Sequence, residues 1–521
     1  MVQVYNALNI TRVRLCKKSN PNYNKLKTYW KLILKNKNDL SQDKIVYQLV
    51  KNIIEETLDE FKKFLYIQHE DLEISSSEMD NIKKYCEVDY VSDNYRNFLV
   101  DNDVMIFPSF DDSLGNGVLA AASSCVTNGI NRPRPIFGIL YINSKLSITK
   151  KNTEKYMRDL LLHEITHILI FQPELMNKLG MIENSGTQYL ITSPKVLIKA
   201  RQHFNCNSIS GVPLENQGGK GSAGSHWEAR YMLGDYMIST DYIDVVLSDI
   251  TLALFEDSGF YKVNYYSGGL FKYGKNKGCD FFNEKCINNG VAISDEFCTV
   301  INQKICSASR TMKGYCAVYD YSSSGITIPE SYQYFTNPNY GGFSPADFCP
   351  VPNYSKDDND YYPNSCKFGS STLNSDYGEV IGDSSFCFIS SLLPTSSSLT
   401  TIEQSICYEI KCDDYNKNII VYFKDIEIKC PSSGGIVDNL NGLKGSINCP
   451  KYTDICNFKD NVLCNEMLDC LIKKVETDYD SYAFEKDDED FYTIKQNDYS
   501  SSSTYLTKMF SFIFLLYLFL N

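Results

Sequence analysis

Apolar residues recur at helical spacing through residues 43–66 (DKIVYQLVKNIIEETLDEFKKFLY), where Val46, Leu49, Val50, Ile53, Ile54, Leu58 and Phe61 fall three or four positions apart. That spacing predicts an amphipathic helix. Two short apolar runs, 103–108 and 136–143, predict strands, the second preceded by the breakers Arg132-Pro133-Arg134-Pro135. A further helix is predicted after Asn152 or Thr153, either of which can cap it, and Pro173 ends it at the latest. It is apolar on most sides, which marks a buried helix. The stretch 211–225 (GVPLENQGGKGSAGS) reads as a glycine-rich loop. From about Gly274 onward cysteine, serine, asparagine, aspartate and tyrosine dominate and long helical patterns fade, so a loop-rich region held by disulfides is expected. The run 476–490 is acidic and reads as a solvated linker, and no internal repeat is visible. Helix and strand signals in mixed order predict an α+β fold.

Composition narrows the class. A chain of 521 residues makes about three structural units, and 43% hydrophobic residues can form cores. The net charge of -13 is spread over the whole chain with no basic stripe, which excludes nucleic acid as the main partner. Of the 19 cysteines, Cys16, Cys86, Cys125 and Cys206 lie in the first half and 15 run from Cys279 to Cys470. No pair of CxxC motifs suggests a zinc ribbon, so a disulfide framework in an oxidising compartment is expected, with at least one thiol left over by the odd count. The acceptor triplets Asn9-Ile10-Thr11 and Asn353-Tyr354-Ser355 fit a secreted glycoprotein.

The two ends point in different directions. The first residues lack the apolar run of a signal peptide. The last residues, MFSFIFLLYLFLN from Met509, form an apolar run short of a membrane span, after a polar spacer at 500–508. Small residues, a polar spacer and a short apolar tail have the layout of a GPI-anchor signal; a marginal tail anchor is the alternative. An export signal at one end only suggests that the chain start is incomplete.

The buried helix carries His163-Glu164-Ile165-Thr166-His167. Residues four apart share a helix face, so both imidazoles can reach one metal ion, and Glu164 can reach water beside it. Zinc lowers the pKa of such water to about 7, and the carboxylate can take its proton. The chain has only five histidines, and two of them stand at this spacing around a glutamate. Burying that trio without a function costs roughly several kcal/mol in desolvation. A catalytic zinc needs a third protein ligand and an open position. No histidine follows within thirty residues, and Glu174 stands just past the breaker Pro173. His226, in Gly224-Ser225-His226-Trp227-Glu228, is the candidate, with His203 its competitor. His203 lies in a basic helical stretch and His69 beside Glu70 and Asp71, and both are expected on the surface.

These residues resemble the leishmanolysin family of metzincin zinc proteases, which take the third zinc histidine from beyond a long insertion. The resemblance rests on HEITH (163–167), LENQGGKGSAGSHWEAR (214–230), LFEDSGFYKVNY (254–265), GCDF (278–281), YQYF (332–335) and PADFCP (345–350), and runs from about Asp103 to the C-terminal region. It implies one zinc per chain on His163, His167 and His226, Glu164 as catalytic base, and Met237 as the methionine of the Met-turn, with Met232 its rival. It implies that the strand at 136–143 is the edge that pairs with an extended peptide. It also implies a lipid-anchored protein of the cell surface, associated with adhesion. Glycine usually stands three positions after the second histidine, but here the residue is Ile170. A β-branched residue is disfavoured in the left-handed turn, so the helix is expected to run on toward Phe171 with Ile170 at negative φ.

The reading is therefore a metzincin-like zinc endopeptidase. An N-terminal catalytic subdomain at 1–172 carries the active helix, and a central subdomain at 173–277 carries His226 and Met237. A cysteine-rich domain follows at 278–495, then a linker and anchor signal at 496–521. The rival reading, from another class, is a catalytically inactive surface adhesin that keeps the fold.

Overall fold

The computed structural model describes residues 44–67, 102–111, 113–115, 118–128, 133–143, 150–186, 188–219, 221–265, 271–354, 359–373, 375–413 and 415–456, with a few single residues and short strands elsewhere. Cys16, Cys464, Cys470, His69, the Asn9 triplet, the acidic run at 476–490 and the tail from 509 lie outside the described residues. Among the described residues no helix is long and apolar enough to cross a membrane.

The side of the molecule that carries the histidine helix is a four-stranded sheet with helices packed on it. Strand β1 (Thr28–Trp30) precedes helix α1 (Lys44–Phe64). The predicted apolar stripe of α1 is its buried face: Val50, Ile53, Ile54, Leu58 and Phe61 are all at most 3% exposed. Strands β2 (Val104–Asp111), β3 (Ala120–Asn128) and β4 (Arg134–Asn143) complete the sheet in the order β1-β2-β4-β3. β1, β2 and β4 run parallel, and β3 runs antiparallel to β4. β2 and β4 are central strands, so their apolar runs are nearly continuous. Among the described strands the edge beside β4 is therefore β3, with β1 the opposite edge, and the strand at 136–143 is not the edge expected from the resemblance: β4 has a neighbour on each side. The edge escaped notice because AAASSCVTN is small and polar, with little β-branched content.

Helix α2 (Thr153–Leu169) lies against this sheet. Its approach is close at Gly138 of β4, where a Cβ would stand 2.3 Å from Cγ2 of Ile168. Only glycine leaves that space. At the N-terminus of α2, neither Asn152 nor Thr153 bonds the helix amides with its side chain. Asn152 instead donates to Asp360 Oδ1 at 2.8 Å, and Thr153 to the Lys150 carbonyl at 2.7 Å. At the other end the helix stops at Leu169 and does not reach Phe171. Ile170 has φ -155° and ψ -39°, outside the left-handed region. The amides of Ile170 and Phe171 both donate to the Thr166 carbonyl, at 2.9 and 3.0 Å, and Gln172 donates to the Ile170 carbonyl at 2.8 Å. This tight exit delivers Pro173 to the first position of helix α3 (Pro173–Lys178), where a missing N–H costs nothing.

The chain then forms a hairpin of β5 (Ile182–Ser185) and β6 (Gln188–Ile191), helix α4 (Pro194–Phe204), and β7 (Val212–Pro213), which pairs with β6. Helix α5 (Asp249–Asp257) is capped by the Ser248 hydroxyl, which accepts from Thr251 N–H. One continuous core runs from Val50 in α1 to Val351.

The cysteine-rich region is less irregular than its composition suggested. After a loop-rich stretch, a six-stranded antiparallel sheet forms from β8 (Ser385–Ser390), β9 (Gln404–Asp413), β10 (Asn418–Phe423), β11 (Ile426–Cys430), β12 (Gly435–Val437) and β13 (Ile447–Cys449). Its order is β11-β10-β9-β8-β13-β12. Period-two burial, as at Ile419, Val421 and Phe423, builds a second core. Among the described residues eight disulfides tie the chain: Cys86–Cys125, Cys206–Cys279, Cys286–Cys349, Cys298–Cys316, Cys306–Cys387, Cys366–Cys407, Cys412–Cys456 and Cys430–Cys449.

Candidate metal centre

The i and i+4 positions of α2 aim His163 and His167 the same way, and their Nε2 atoms stand 3.1 Å apart. His226 arrives from the glycine-rich loop. Its Nε2 lies 3.1 Å from that of His163 and 3.2 Å from that of His167. Among the described residues these three form the one cluster of histidine, cysteine and carboxylate side chains compact enough to hold an ion.

Each ring is fixed through its other nitrogen. His163 Nδ1 lies 2.6 Å from the Tyr236 carbonyl, His167 Nδ1 2.7 Å from the Phe171 carbonyl, and His226 Nδ1 3.1 Å from the Ser222 carbonyl. A carbonyl only accepts, so each Nδ1 carries the hydrogen and each neutral ring turns a lone pair inward at Nε2. Burial holds the imidazoles neutral: His163 is pushed down to about 4 and His226 to about 3. His167 is likewise lowered, by burial first and then by the two other rings. Three lone pairs facing each other at this distance repel unless a cation lies between them. The centre of the nitrogen triangle is ~1.8 Å from each corner, against Zn–N bonds of ~2.0–2.1 Å, so the donor set fits a borderline metal ion.

The loop that presents His226 leaves β7 at Leu214, and Leu214 pairs again with Trp227 where the chain returns. Gly218, at φ 76°, and Gly224, at φ 77°, take the left-handed turns this needs. Trp227 N–H then donates to the Met237 carbonyl at 3.0 Å. Met237 is fully buried beside Tyr236, whose carbonyl holds His163, and Asp235 Oδ1 fixes the Met237 amide at 2.8 Å. The rival Met232 is also buried, in the short helical turn Ala229–Met232.

Glu164 is buried, and desolvation pushes its carboxyl up to about 8. With His163, His167 and His226 it lines an open cleft of about 1670 Å³. The walls include residues 118–123, which run into and through the first half of β3, with Gln172, Tyr189 on the hairpin, and Tyr361 and Tyr362 from the later chain. Gln172 joins the edge strand to the metal helix: it accepts from the Ser124 hydroxyl at 2.9 Å and donates to the His167 carbonyl at 2.7 Å. Gln172 and β3 were not foreseen from the sequence. A polar residue between a ligand helix and a proline was the available signal for the first.

The remaining candidates fall elsewhere. His203 is not exposed as expected but half-buried, stacked on Phe271 and bonded to the Tyr273 carbonyl. Glu174 is exposed on the cleft wall. Asn353 of the second acceptor triplet also lines the cleft, and its amide donates to the Tyr319 hydroxyl.

A family model for leishmanolysin, peptidase family M8, matches residues 15–462. The chain is 29% identical over 360 residues to a leishmanolysin homolog of Crithidia fasciculata, covering 65% of this chain and 53% of that one. It is 25% identical over 359 residues to leishmanolysin of Leishmania tropica, covering 65% and 52% respectively. It is 31% identical over 305 residues to a leishmanolysin-like peptidase of Drosophila melanogaster, covering 51% and 44%. The chain thus spans about half the length of the curated relatives it matches. With the match running through the histidine helix, the glycine-rich loop and the disulfide-bonded region, the chain belongs to the leishmanolysin family of metallopeptidases.

Proposed function

We propose that this protein is a zinc-dependent endopeptidase that cleaves extended segments of proteins. The observation that carries the reading is the convergence of three neutral imidazole nitrogens, each with its outer nitrogen satisfied by a backbone carbonyl. His163, His167 and His226 hold the ion. A zinc ion held there would supply Lewis acidity toward water and a peptide carbonyl. Glu164 takes the proton from water in the cleft and passes it to the leaving amine. Burial favours its neutral form at neutral pH, and a cation beside it would favour the carboxylate. The open side of β3 offers backbone N–H and C=O groups to an extended peptide, and such pairing reads backbone more than side chains. Substrates are therefore unstructured protein segments with loose sequence preference.

Met237, buried next to the Tyr236 carbonyl that holds His163, would serve as the Met-turn residue. A lipid anchor attached within 497–503 would hold the enzyme at the cell surface, and mass spectrometry of the C-terminal peptide tests this. The decisive experiment is turnover of casein by purified protein with and without a chelator, beside a Glu164→Ala control. Chelator-sensitive hydrolysis that Glu164→Ala abolishes supports the reading. Zinc-loaded protein that does not cleave casein overturns it in favour of an inactive adhesin.

A further inference from the structure

Glu215 is 1% exposed and hydrogen-bonded through both carboxylate oxygens. Oε1 accepts from the Gln217 amide at 2.7 Å, and Oε2 from the Ser239 hydroxyl at 2.8 Å. The same residue closes the glycine-rich loop with its backbone: its amide donates to the His226 carbonyl at 2.9 Å, and its carbonyl accepts from the Gly224 amide at 2.8 Å. Glu215 therefore ties the start of the loop, its return at His226, and the segment just after Met237. A loop with this many glycines has many conformations open to it. Without an internal anchor, His226 would have to be ordered by the metal itself, at a cost in affinity.

We propose that Glu215 is a positioning residue for the third metal ligand, fixing His226 before the ion arrives. This rests on the three-histidine reading of the site. The role is geometric and not ionic, because the carboxylate does not touch His226 and acts through the Gln217 amide and the Ser239 hydroxyl. A glutamine can replace it: its Oε1 accepts from Gln217, and its Nε2 donates to Ser239, whose hydroxyl can reverse its role. A leucine cannot make either bond.

The test is the zinc dissociation constant of the full chain, measured by chelator competition, for Glu215→Gln, Glu215→Leu and Ser239→Ala. Each is made with His226 intact and with His226→Ala. With His226 intact, Glu215→Leu is expected to bind zinc about 10-fold more weakly, the lower end of what is lost with a group bonded directly to a ligand, because the carboxylate acts at one remove. Ser239→Ala is expected to lose several-fold, and Glu215→Gln to stay within about threefold of the parent. In the His226→Ala background none of the three should weaken zinc further, because the anchored ligand is already gone. Equal weakening in both backgrounds would make Glu215 a general structural residue and overturn the proposal, as would unchanged affinity in Glu215→Leu. If Glu215→Leu does not fold, Ser239→Ala decides: unchanged affinity there also overturns it. Failure of the parent protein to bind zinc would instead sink the metal-site reading itself.

Discussion

The close approach of α2 to Gly138 makes the metal helix sensitive to a single methyl group. In Gly138→Ala the new Cβ would meet Ile168 Cγ2 at 2.3 Å and its Cδ1 and Cγ1 at 2.9 Å. Ordinary carbon contacts lie at ~3.5–4.0 Å, so strand and helix must part by ~1.2 Å or more. Ile168 is fully buried and adjoins His167, so it has no free space to move into, and the helix carrying His163, Glu164 and His167 must shift. The expected loss is ~3 kcal/mol, the upper end of core overpacking. A displacement of this size should also lower casein turnover by roughly 100-fold, because reacting groups tolerate little misplacement. Ile168→Ala removes all three clashing atoms. It destabilises alone by ~2–5 kcal/mol, but it should relieve Gly138→Ala, leaving the double variant ~2 kcal/mol more stable than the sum of the single losses. Denaturant unfolding of the four proteins and their zinc affinities measure this. Additive losses, or a Gly138→Ala protein with parental stability and zinc affinity, would refute the argument.

Glu164→Ala is expected to keep zinc, read by metal analysis, while turnover falls by ~100-fold or more, if the residue has the proposed role of proton acceptor and not of ligand. His226→Ala should reduce zinc occupancy about as much as His163→Ala, whereas His203→Ala, at a site built on Phe271 and the Tyr273 carbonyl, should leave it unchanged. Glu296, buried and accepting from the Gly274 amide, is pushed up to about 7 from 4.5 by desolvation. A raised folded pKa means its contribution is whole below about 4.5 and is lost as pH rises through about 7, at a cost of ~3 kcal/mol. Glu296→Gln keeps the acceptor and should stabilise the protein distinctly more at pH 8 than at pH 5 by thermal melting; equal shifts at both would contradict it.

Local signals carried far in this chain. The stripe in α1 and the buried character of α2 were legible because helix periodicity is written within a few neighbouring residues. The pairing of His163 with His167 is set by one helical turn, so the sequence alone determines that they share a face. The placement of His226 is of another kind: it stands 59 residues beyond His167, and only the folded loop, closed by Glu215 and bonded at Trp227 to the Met237 carbonyl, brings its Nε2 within 3.2 Å. Elimination among five histidines left that residue with His203 as competitor, and the resemblance favoured it, but nothing in local spacing did. Tertiary structure alone decided which strand is the edge. An apolar run such as that of β4 reads the same whether it has one neighbour or two, and the small, polar β3 gives little sign of being a strand. It also decided how α2 ends. Side-chain stereochemistry kept Ile170 from positive φ. Whether the helix then continued or turned depended on the Thr166 carbonyl taking two amides, an exit that lets Gln172 bridge β3 to His167. Periodicity reports what a residue does to its neighbours along the chain, whereas edges, exits and remote ligands depend on hydrogen bonds between segments far apart in sequence.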